Sequence, residues 1–186
     1  MRIIGGNFKG KKLFLPSDKN TRPLRDLVKE SIINLIQHSN KINIDIKNSR
    51  VLDLFAGSGS FGLECLSLGA KKVVFFENYS KAIKILEKNV NSLQNLNNYE
   101  IIKSNCFDFF KSDPNFKFKF DIIFIDAPFK ELRINEILEK IIETKLLNNS
   151  GIIVIHRHKK DIIKITKKFK ILENRSYGIS KILFGN

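Results

Sequence analysis

The sequence predicts an α/β fold: a mostly parallel sheet with an antiparallel last strand and helices on both faces. Three observations carry this prediction. From residue 51 onward, short apolar runs alternate with helical patterns, the runs are apolar at consecutive positions, and a glycine-rich loop follows the first run. Consecutive apolar residues are typical of strands buried on both faces, and strand–helix alternation is typical of parallel sheets.

The elements of this core follow in a regular order. Strand "VLDLF" leads through the glycine loop to a helix that ends near Leu68, strand "KVVFFE" precedes a helix over residues 80–91, and strand "YEIIK" precedes a short helix over residues 106–111. Strand "DIIFID" precedes a helix over residues 133–145, and strand "GIIVIH" precedes a helix over residues 159–168. Two last runs, "FKILEN" and "SKILFG", predict a closing hairpin that adds an antiparallel edge.

The first fifty residues differ from this core. Residues 1–20 predict an extended basic hairpin, punctuated by glycines and closed by Pro16. Residues 21–50 predict a helix, with Thr21 as a candidate cap, followed by a connector. The chain has no internal repeat and no long linker, so we expect residues 1–186 to form a single domain with residues 51–186 as its α/β core.

Charge and composition narrow the classes of partner. The formal net charge is +14, and basic residues gather near the N-terminus and between His156 and Lys170. A positive field of this size favours polyanions such as nucleic acid or an anionic membrane surface. The two cysteines, Cys65 and Cys106, lack metal-site spacing and the three histidines do not complete a ligand set, so we expect no metal.

The chain also lacks membrane and export signals. No apolar run approaches the roughly 18 residues that a membrane span needs. The start, "MRIIGGNFKG", has no apolar signal-peptide segment. We therefore expect a cytoplasmic protein without a membrane partner.

The glycine loop indicates a cofactor site but not by itself which cofactor. Gly57-x-Gly59-x-x-Gly62 follows a strand, at the end of the sheet where ligands bind in such folds. Asp53, inside the strand, would repel a pyrophosphate but suits the ammonium and sulfonium groups of S-adenosylmethionine (SAM). Glu77 can accept hydrogen bonds from the ribose hydroxyls of either cofactor. Asp53 therefore favours SAM as the cofactor. The alternative is a nicotinamide dinucleotide, which would make the protein an oxidoreductase.

A second motif, at the end of the fourth predicted strand, indicates the chemistry. Asp126, Ala127, Pro128 and Phe129 resemble the [D/N/S]-P-P-[F/Y/W] signature of methyltransferases that act on exocyclic amino groups of bases. The Asp126 carboxylate and the carbonyl of residue 127 could accept the two N–H groups of the amine, while Phe129 stacks on the base. Ala127 replaces the first proline of the signature but keeps the carbonyl that this chemistry needs.

Over nearly all 186 residues the chain resembles the bacterial 16S rRNA guanine-N2-methyltransferases of the RsmD type. The resemblance rests on five stretches: "RIIGGNFKGKKL", "TRPLRDLVKESIIN", "DLFAGSGSFGLECLSLGA", "FFEN" and "IDAPF". It implies a Rossmann-like class I methyltransferase sheet and SAM as cofactor. It also implies methylation of one guanine N2 in 16S rRNA, the 30S ribosomal subunit as substrate, and a basic N-terminal hairpin that grips RNA. We expect the protein to act as a monomer.

The resemblance also implies roles for individual residues. Asp126, Ala127, Pro128 and Phe129 would hold the target base. Asp53, Gly57 and Gly59 would line the methionine and ribose side of the cofactor, Glu77 would bind the ribose, and Asn105 would lie near the adenine. The full set of expected cofactor-binding residues is Asp53, Phe55, Gly57, Ser58, Gly59, Glu77, Asn105 and Cys106. The expected RNA-contacting residues are Arg2, Lys9, Lys11, Lys12, Arg22 and Arg25.

Three further positions depart from the family pattern. Leu24 and Leu27 replace a threonine and an arginine of the first helix, and His156 replaces an acid at the end of the fifth strand. Two alternatives to the guanine-N2 reaction stay open. One is an amino-methyltransferase for another base of RNA or DNA. The other is a ribosome-assembly protein that keeps the fold without turnover.

Overall fold

A computed structural model of the chain describes residues 1–17, 23–42, 44–112, 116–161 and 165–186. These residues form seven strands and five α-helices. The strands are β1 (Arg50–Leu54), β2 (Lys72–Phe76), β3 (Tyr99–Ile102), β4 (Phe120–Ile125), β5 (Leu147–His158), β6 (Ile171–Tyr177) and β7 (Ser180–Gly185). The helices are α1 (Asp26–His38), α2 (Ser60–Ser67), α3 (Ser80–Asn91), α4 (Cys106–Lys111) and α5 (Ile134–Glu143).

The strands form one sheet in the order β3-β2-β1-β4-β5-β7-β6. All neighbouring pairs from β3 to β5 are parallel, whereas β7 runs antiparallel to both β5 and β6. This arrangement confirms the predicted α/β fold and its antiparallel last strand. The order reverses between β1 and β4, and the carboxyl ends of these two strands therefore flank the crevice where ligands bind in open α/β sheets.

Consecutive side chains of the central strands pack into opposite layers of the core, which explains their uninterrupted apolar sequence. In β1, Val51 belongs to the layer under α1, α2 and α3, while Leu52 and Leu54 belong to the layer under α4 and α5. Phe61 of α2 stacks on Phe124 of β4 with ring centroids 4.1 Å apart. Both faces of the sheet are therefore covered, as the continuous apolar runs predicted.

The first and the last predicted helices differ from the structure. The helix predicted over residues 159–168 is wrong for its described part, because β5 continues to His158 and residues 159–160 and 167–168 form turns. The strand extends because β7 pairs with it as far as His158 opposite Ser180. The first helix begins at Asp26 with Arg25 as its N-cap. Thr21, the predicted cap, lies outside the described residues.

Residues 1–17, which we call the N-terminal arm, fold back on themselves. The Ile3 N–H donates to the Lys11 carbonyl at 2.9 Å, and the Gly10 N–H donates to the Ile3 carbonyl at 2.8 Å. Arg2 and Lys12 form a single antiparallel bridge. The arm is thus a hairpin with one bridge and a 3₁₀ turn over Gly6–Phe8, shorter in regular pairing than predicted.

Buried polar groups fix the arm to the helical layer. Glu64 of α2 accepts hydrogen bonds from the Ile4 and Gly5 N–H groups, the shortest being 2.7 Å. Its carboxylate also pairs with the fully buried ammonium of Lys29 at 2.9 Å. Lys29, counted by sequence position among the basic residues near the N-terminus, is therefore an internal partner of the arm. No helix in the described part of the chain is long and apolar enough to cross a membrane.

Candidate active site

A cavity of about 290 Å³ opens at the carboxyl ends of β1, β2 and β4. It lies at the end of the sheet where the glycine loop was predicted to form a cofactor site, and it brings Glu77 and Asp126 to that loop. Five expected cofactor-binding residues line it together with the whole target-base motif. These residues are Asp53, Phe55, Gly57, Ser58, Glu77, Asp126, Ala127, Pro128 and Phe129.

The glycine loop turns sharply from β1 into α2. Gly57 and Gly59 have φ angles of +57° and +80°, a region that L side chains rarely adopt. Phe55 also has a positive φ, +61°, although it carries a bulky side chain. Such strained residues are held in place by their surroundings and concentrate at ligand sites. Gly59 caps α2 without lining the cavity.

Asp53 lies at the floor of the cavity and is only 1% exposed. Its Oδ2 accepts a hydrogen bond from the Gly62 N–H at 2.9 Å, which ties β1 to the first turn of α2. Burial raises the pKa of Asp53 to about 8, against the effect of the Gly62 hydrogen bond and with help from the charges of Asp126 and Glu77. A cation placed beside this carboxyl group would favour its ionised form.

Glu77 follows β2 and organises the backbone around it. Its Oε2 accepts from the Gly57 N–H at 2.7 Å, and its Oε1 accepts from the N–H groups of Asn78 and Tyr79 at 2.9 and 2.8 Å. A carboxylate has about four acceptor positions, so about one stays available for a ribose hydroxyl. Glu77 therefore braces the glycine loop in addition to the cofactor role expected from sequence.

Asn105 and Cys106 lie beside this cavity, in an adjoining one of about 150 Å³ that shares Phe55, Glu77 and Pro128 with the first. The Asn105 side chain caps α4 by accepting a hydrogen bond from the Phe107 N–H at 2.9 Å. Burial raises the pKa of the Cys106 thiol to about 12, so the thiol is uncharged at neutral pH. Both expected cofactor-binding residues thus lie next to the first cavity and outside its lining.

The target-base motif follows β4 on the other side of the cavity. Asp126 is 18% exposed, and its Oδ1 lies 2.8 Å from Nδ1 of the buried His156. The Phe129 ring meets the ring of His158 edge to face, with centroids 5.1 Å apart. Ala127 is buried, and its small side chain faces the same core layer as Ile123 and Ile125.

Arg157 supports the candidate site from below the surface and was not identified from the sequence. Its side chain is only 1% exposed, and it pairs with Asp161 at 3.0 Å. One guanidinium nitrogen donates to the carbonyls of Ala127 and Pro128 at 3.3 and 2.9 Å, and the other donates to those of Phe129 and Glu131 at 2.8 and 3.0 Å. A side chain from the neighbouring strand therefore holds the loop that lacks its first proline. The sequence signal, an arginine next to a strand end, is weak because arginine is rarely buried.

The basic residues expected to contact RNA lie outside the cavity. Arg2, Lys9, Lys11 and Lys12 are exposed on the N-terminal arm, and Arg25 is exposed at the start of α1. Arg22 lies outside the described residues. Pro23 and Leu24, just before Arg25, line the cavity, so this segment connects the basic surface with the site. Leu27, the other departure in the first helix, points to solvent.

The charges of the cavity discriminate between the two cofactors considered from sequence. Asp53, Glu77 and Asp126 line it, and among the described lining residues there is no lysine, arginine or histidine. A pyrophosphate would meet three carboxyl groups here without a cationic partner. An ammonium and a sulfonium would meet complementary charge. The three carboxyl groups of the cavity therefore fit SAM better than a dinucleotide. Asp53, the glycine loop and Glu77 would hold the SAM molecule.

Comparison with known proteins agrees with this geometry. The family model described as "Conserved hypothetical protein 95" matches residues 1–186. The chain is 32% identical over 180 residues to ribosomal RNA small subunit methyltransferase D of Haemophilus influenzae, covering 96% of this chain and 90% of that protein. It is also 32% identical over 173 residues to the protein of the same name from Buchnera aphidicola subsp. Acyrthosiphon pisum, covering 93% and 86%.

A solved structure extends the likeness to the whole fold. The yhhF protein of Escherichia coli superposes with a TM-score of 0.82 at 25% identity, covering all of this chain and 96% of that one. The sheet order, the glycine loop, the motif after β4 and the N-terminal arm thus occur together in a chain whose relatives match it end to end. The chain belongs to the family of ribosomal RNA small subunit methyltransferase D.

Proposed function

We propose that this protein transfers a methyl group from SAM to the exocyclic N2 of a guanine in 16S rRNA, within the 30S subunit. Family membership supports the general activity, which is SAM-dependent methylation of small-subunit rRNA, without specifying the methylated atom. The observation that carries the proposal is the acidic cavity with Asp126 and the Ala127–Phe129 backbone at its edge. When bound, SAM supplies an electrophilic methyl group on a sulfonium.

The chain's own residues have to orient a weak nucleophile. An amino group on an aromatic ring shares its lone pair with the ring, and hydrogen bonds to both N–H groups favour the pyramidal form that can react. Asp126 offers a carboxylate oxygen, and the Ala127 carbonyl offers a second acceptor. The contact of that carbonyl with Arg157 is long, 3.3 Å, and a carbonyl oxygen has two lone pairs, so it can accept both. Holding reactants in this way is a large part of the catalytic effect.

The RNA-binding part of the proposal rests on charge and position. The exposed side chains of Arg2, Lys9, Lys11 and Lys12 lie on the arm, which is fixed to α2 and α1. Arg25 follows the cavity-lining Pro23 and Leu24. Cationic side chains in these places would bind phosphates around the target guanine. We propose that the protein works in the cytoplasm as a monomer on the 30S particle and needs no metal ion.

The experiment is transfer of labelled methyl from SAM to 30S particles that lack methylated guanines, followed by digestion and identification of the labelled nucleoside. We expect label in N2-methylguanosine of 16S rRNA. Label in another nucleoside would favour the amino-methyltransferase alternative. Binding of SAM and 30S particles without label would favour the assembly protein. Binding of a nicotinamide dinucleotide with no affinity for SAM would contradict the cofactor assignment.

A substitution of Asp126 tests the proposal most directly, because it should affect methyl transfer and not SAM binding. Asp126→Ala removes the acceptor for the amino group but none of the cofactor-binding residues. We expect kcat to fall by about 100–1,000-fold, while the dissociation constant of SAM changes only a few-fold. Calorimetric titration with SAM is the control. A joint loss of transfer and SAM binding would contradict the assignment of Asp126 to the target base.

A further inference from the structure

His156 is the buried partner of Asp126. Its ring, 1% exposed, lies between two side chains: Nδ1 is 2.8 Å from Asp126 Oδ1, and Nε2 is 2.8 Å from Ser180 Oγ. Ser180 is itself buried and begins β7, opposite His158 in the antiparallel pair with β5. Three elements, β4, β5 and β7, therefore contribute to one line of hydrogen bonds that ends at the candidate catalytic carboxylate.

The chemistry of the three groups sets the direction of these bonds. An ionised carboxylate only accepts hydrogen bonds, so Nδ1 must carry the proton that is shared with Asp126. Nε2 of the neutral ring is then an acceptor, and the Ser180 hydroxyl can donate to it. Ser180 thus favours the tautomer that Asp126 requires, as the outer partner of a histidine commonly does.

Asp126 needs such a partner because its own torsions do not fix it. The last torsion of an aspartate side chain is broad, so the plane of the carboxylate rotates easily without a hydrogen bond. Holding Oδ1 against His156 sets this plane. No described residue forms a hydrogen bond with Asp126 Oδ2. This oxygen is therefore available to an amino group in the cavity.

We propose that His156, held by Ser180, is a positioning residue that fixes the Asp126 carboxylate for the amino group of the target base. The inference rests on the proposed function, since it assigns Asp126 to that amino group. It explains why a histidine can stand at this position of the fifth strand, where an acid was expected from the resemblance. It also gives Ser180, a residue of the closing hairpin, an indirect part in the reaction.

The test compares two substitutions that place an amide nitrogen near different ring nitrogens of His156. In His156→Asn the amide nitrogen is bonded to Cγ, as Nδ1 is, and can still donate to Asp126. In His156→Gln the amide nitrogen lies one bond further out, nearer the position of Nε2. The assay measures kcat and KM for methyl transfer to 30S particles, the SAM dissociation constant and the unfolding temperature. His38→Gln, at the exposed end of α1, is the matched control.

We expect His156→Gln to lower kcat by about 100-fold, with the SAM dissociation constant and KM changed only a few-fold. His156→Asn keeps most of kcat, and Ser180→Ala loses about fivefold through one hydrogen bond. A readout independent of turnover is the ¹⁵N NMR spectrum of the histidine rings, where we expect the Nδ1–H tautomer for His156. Its signal is identified by its absence from the His156→Asn spectrum.

Several results would overturn the positioning role. One is an equal loss of kcat in His156→Asn and His156→Gln while the wild-type protein is active. Losses that follow the unfolding temperature, or an Nε2–H tautomer for His156, would do the same. If the wild-type protein transfers no methyl group, the proposed function fails, and any role of His156 in transfer fails with it. The wild-type measurement therefore distinguishes the two failures.

Discussion

The glycine loop and the loop after β4 reach the same cavity, but different parts of the chain hold them in place. The glycine loop is braced by carboxylates of β1 and the end of β2, since Asp53 accepts from the Gly62 N–H and Glu77 accepts from the Gly57 N–H. The loop after β4 is instead held by Arg157, which donates to four of its carbonyls.

This difference separates what is encoded locally from what the tertiary structure supplies. Around the glycine loop, donor and acceptor lie within about 20 positions of one another, so the loop and the residues that hold it are close in sequence. For the loop after β4, the support comes from β5, about 30 positions downstream. A loop can therefore lose a stiffening proline when a distant side chain holds its carbonyls.

The largest expected effect comes from removing that distant support. Arg157→Met leaves four loop carbonyls without their buried donor and the Asp161 carboxylate without its cationic partner. We expect the free energy of unfolding to fall by about 3–5 kcal/mol, as measured by denaturant unfolding.

The matched control for Arg157→Met is Arg133→Met. Arg133 is exposed and pairs with Glu131 of the same loop, so we expect nearly unchanged stability. Equal stability of the Arg157→Met variant and the wild-type protein would contradict the supporting role of Arg157.

A smaller effect tests the cofactor half through the pKa of Asp53. With a pKa of about 8, Asp53 is mostly protonated at pH 7, and a bound cation would drive it to ionise. We expect SAM binding to release a proton and to strengthen as pH rises, by up to about tenfold per unit, levelling off above pH 8. Calorimetry in buffers of different ionisation enthalpy measures the released proton.

In Asp53→Asn this dependence should disappear and SAM should bind more weakly at pH 8. A pH dependence unchanged by Asp53→Asn would contradict the assignment of Asp53 to the cofactor.

The same group shapes stability in the absence of cofactor. The pKa of Asp53 is raised from 3.8 to about 8 on folding, so between these values the folded protein binds more protons than the unfolded chain. The contribution of Asp53 to stability therefore falls as pH rises from about 4 to about 8, and it is constant above that range. Denaturant unfolding of wild type and Asp53→Asn across this range isolates the contribution. A difference that does not grow with pH would contradict the raised pKa.

The smallest effect is expected from restoring the missing proline. Because Arg157 already fixes the loop, Ala127→Pro should change the free energy of unfolding by less than about 1 kcal/mol. In the Arg157→Met background the same change should stabilise the protein more, which a double-mutant cycle measures. An equal effect in both backgrounds would mean that proline and arginine do not substitute for one another.

Much of the fold could be predicted from the sequence because the patterns that indicate its strands and helices are local. Consecutive apolar residues such as those of β4 predicted the buried strands, and α3 and α4 begin and end where their patterns predicted. The extension of β5 to His158 could not be predicted, because it depends on pairing with β7. The same pairing places Ser180 beside His156, and burial makes Lys29 and Arg157, two members of the clusters of basic residues, internal supports. Position in sequence does not report such tertiary effects.

The arm shows how order of synthesis can differ from order of assembly. Ile4, Gly5 and Phe8 reach the ribosome's exit first, but their partners Glu64 and Ser67 lie 59 to 62 positions later. A nascent chain that ends before residue 64 therefore lacks the α2 side chains that hold Ile4, Gly5 and Phe8, although Asp26 and Lys29 can already contact Arg2. Stalled chains of increasing length should become resistant to protease at the arm only after α2 has emerged.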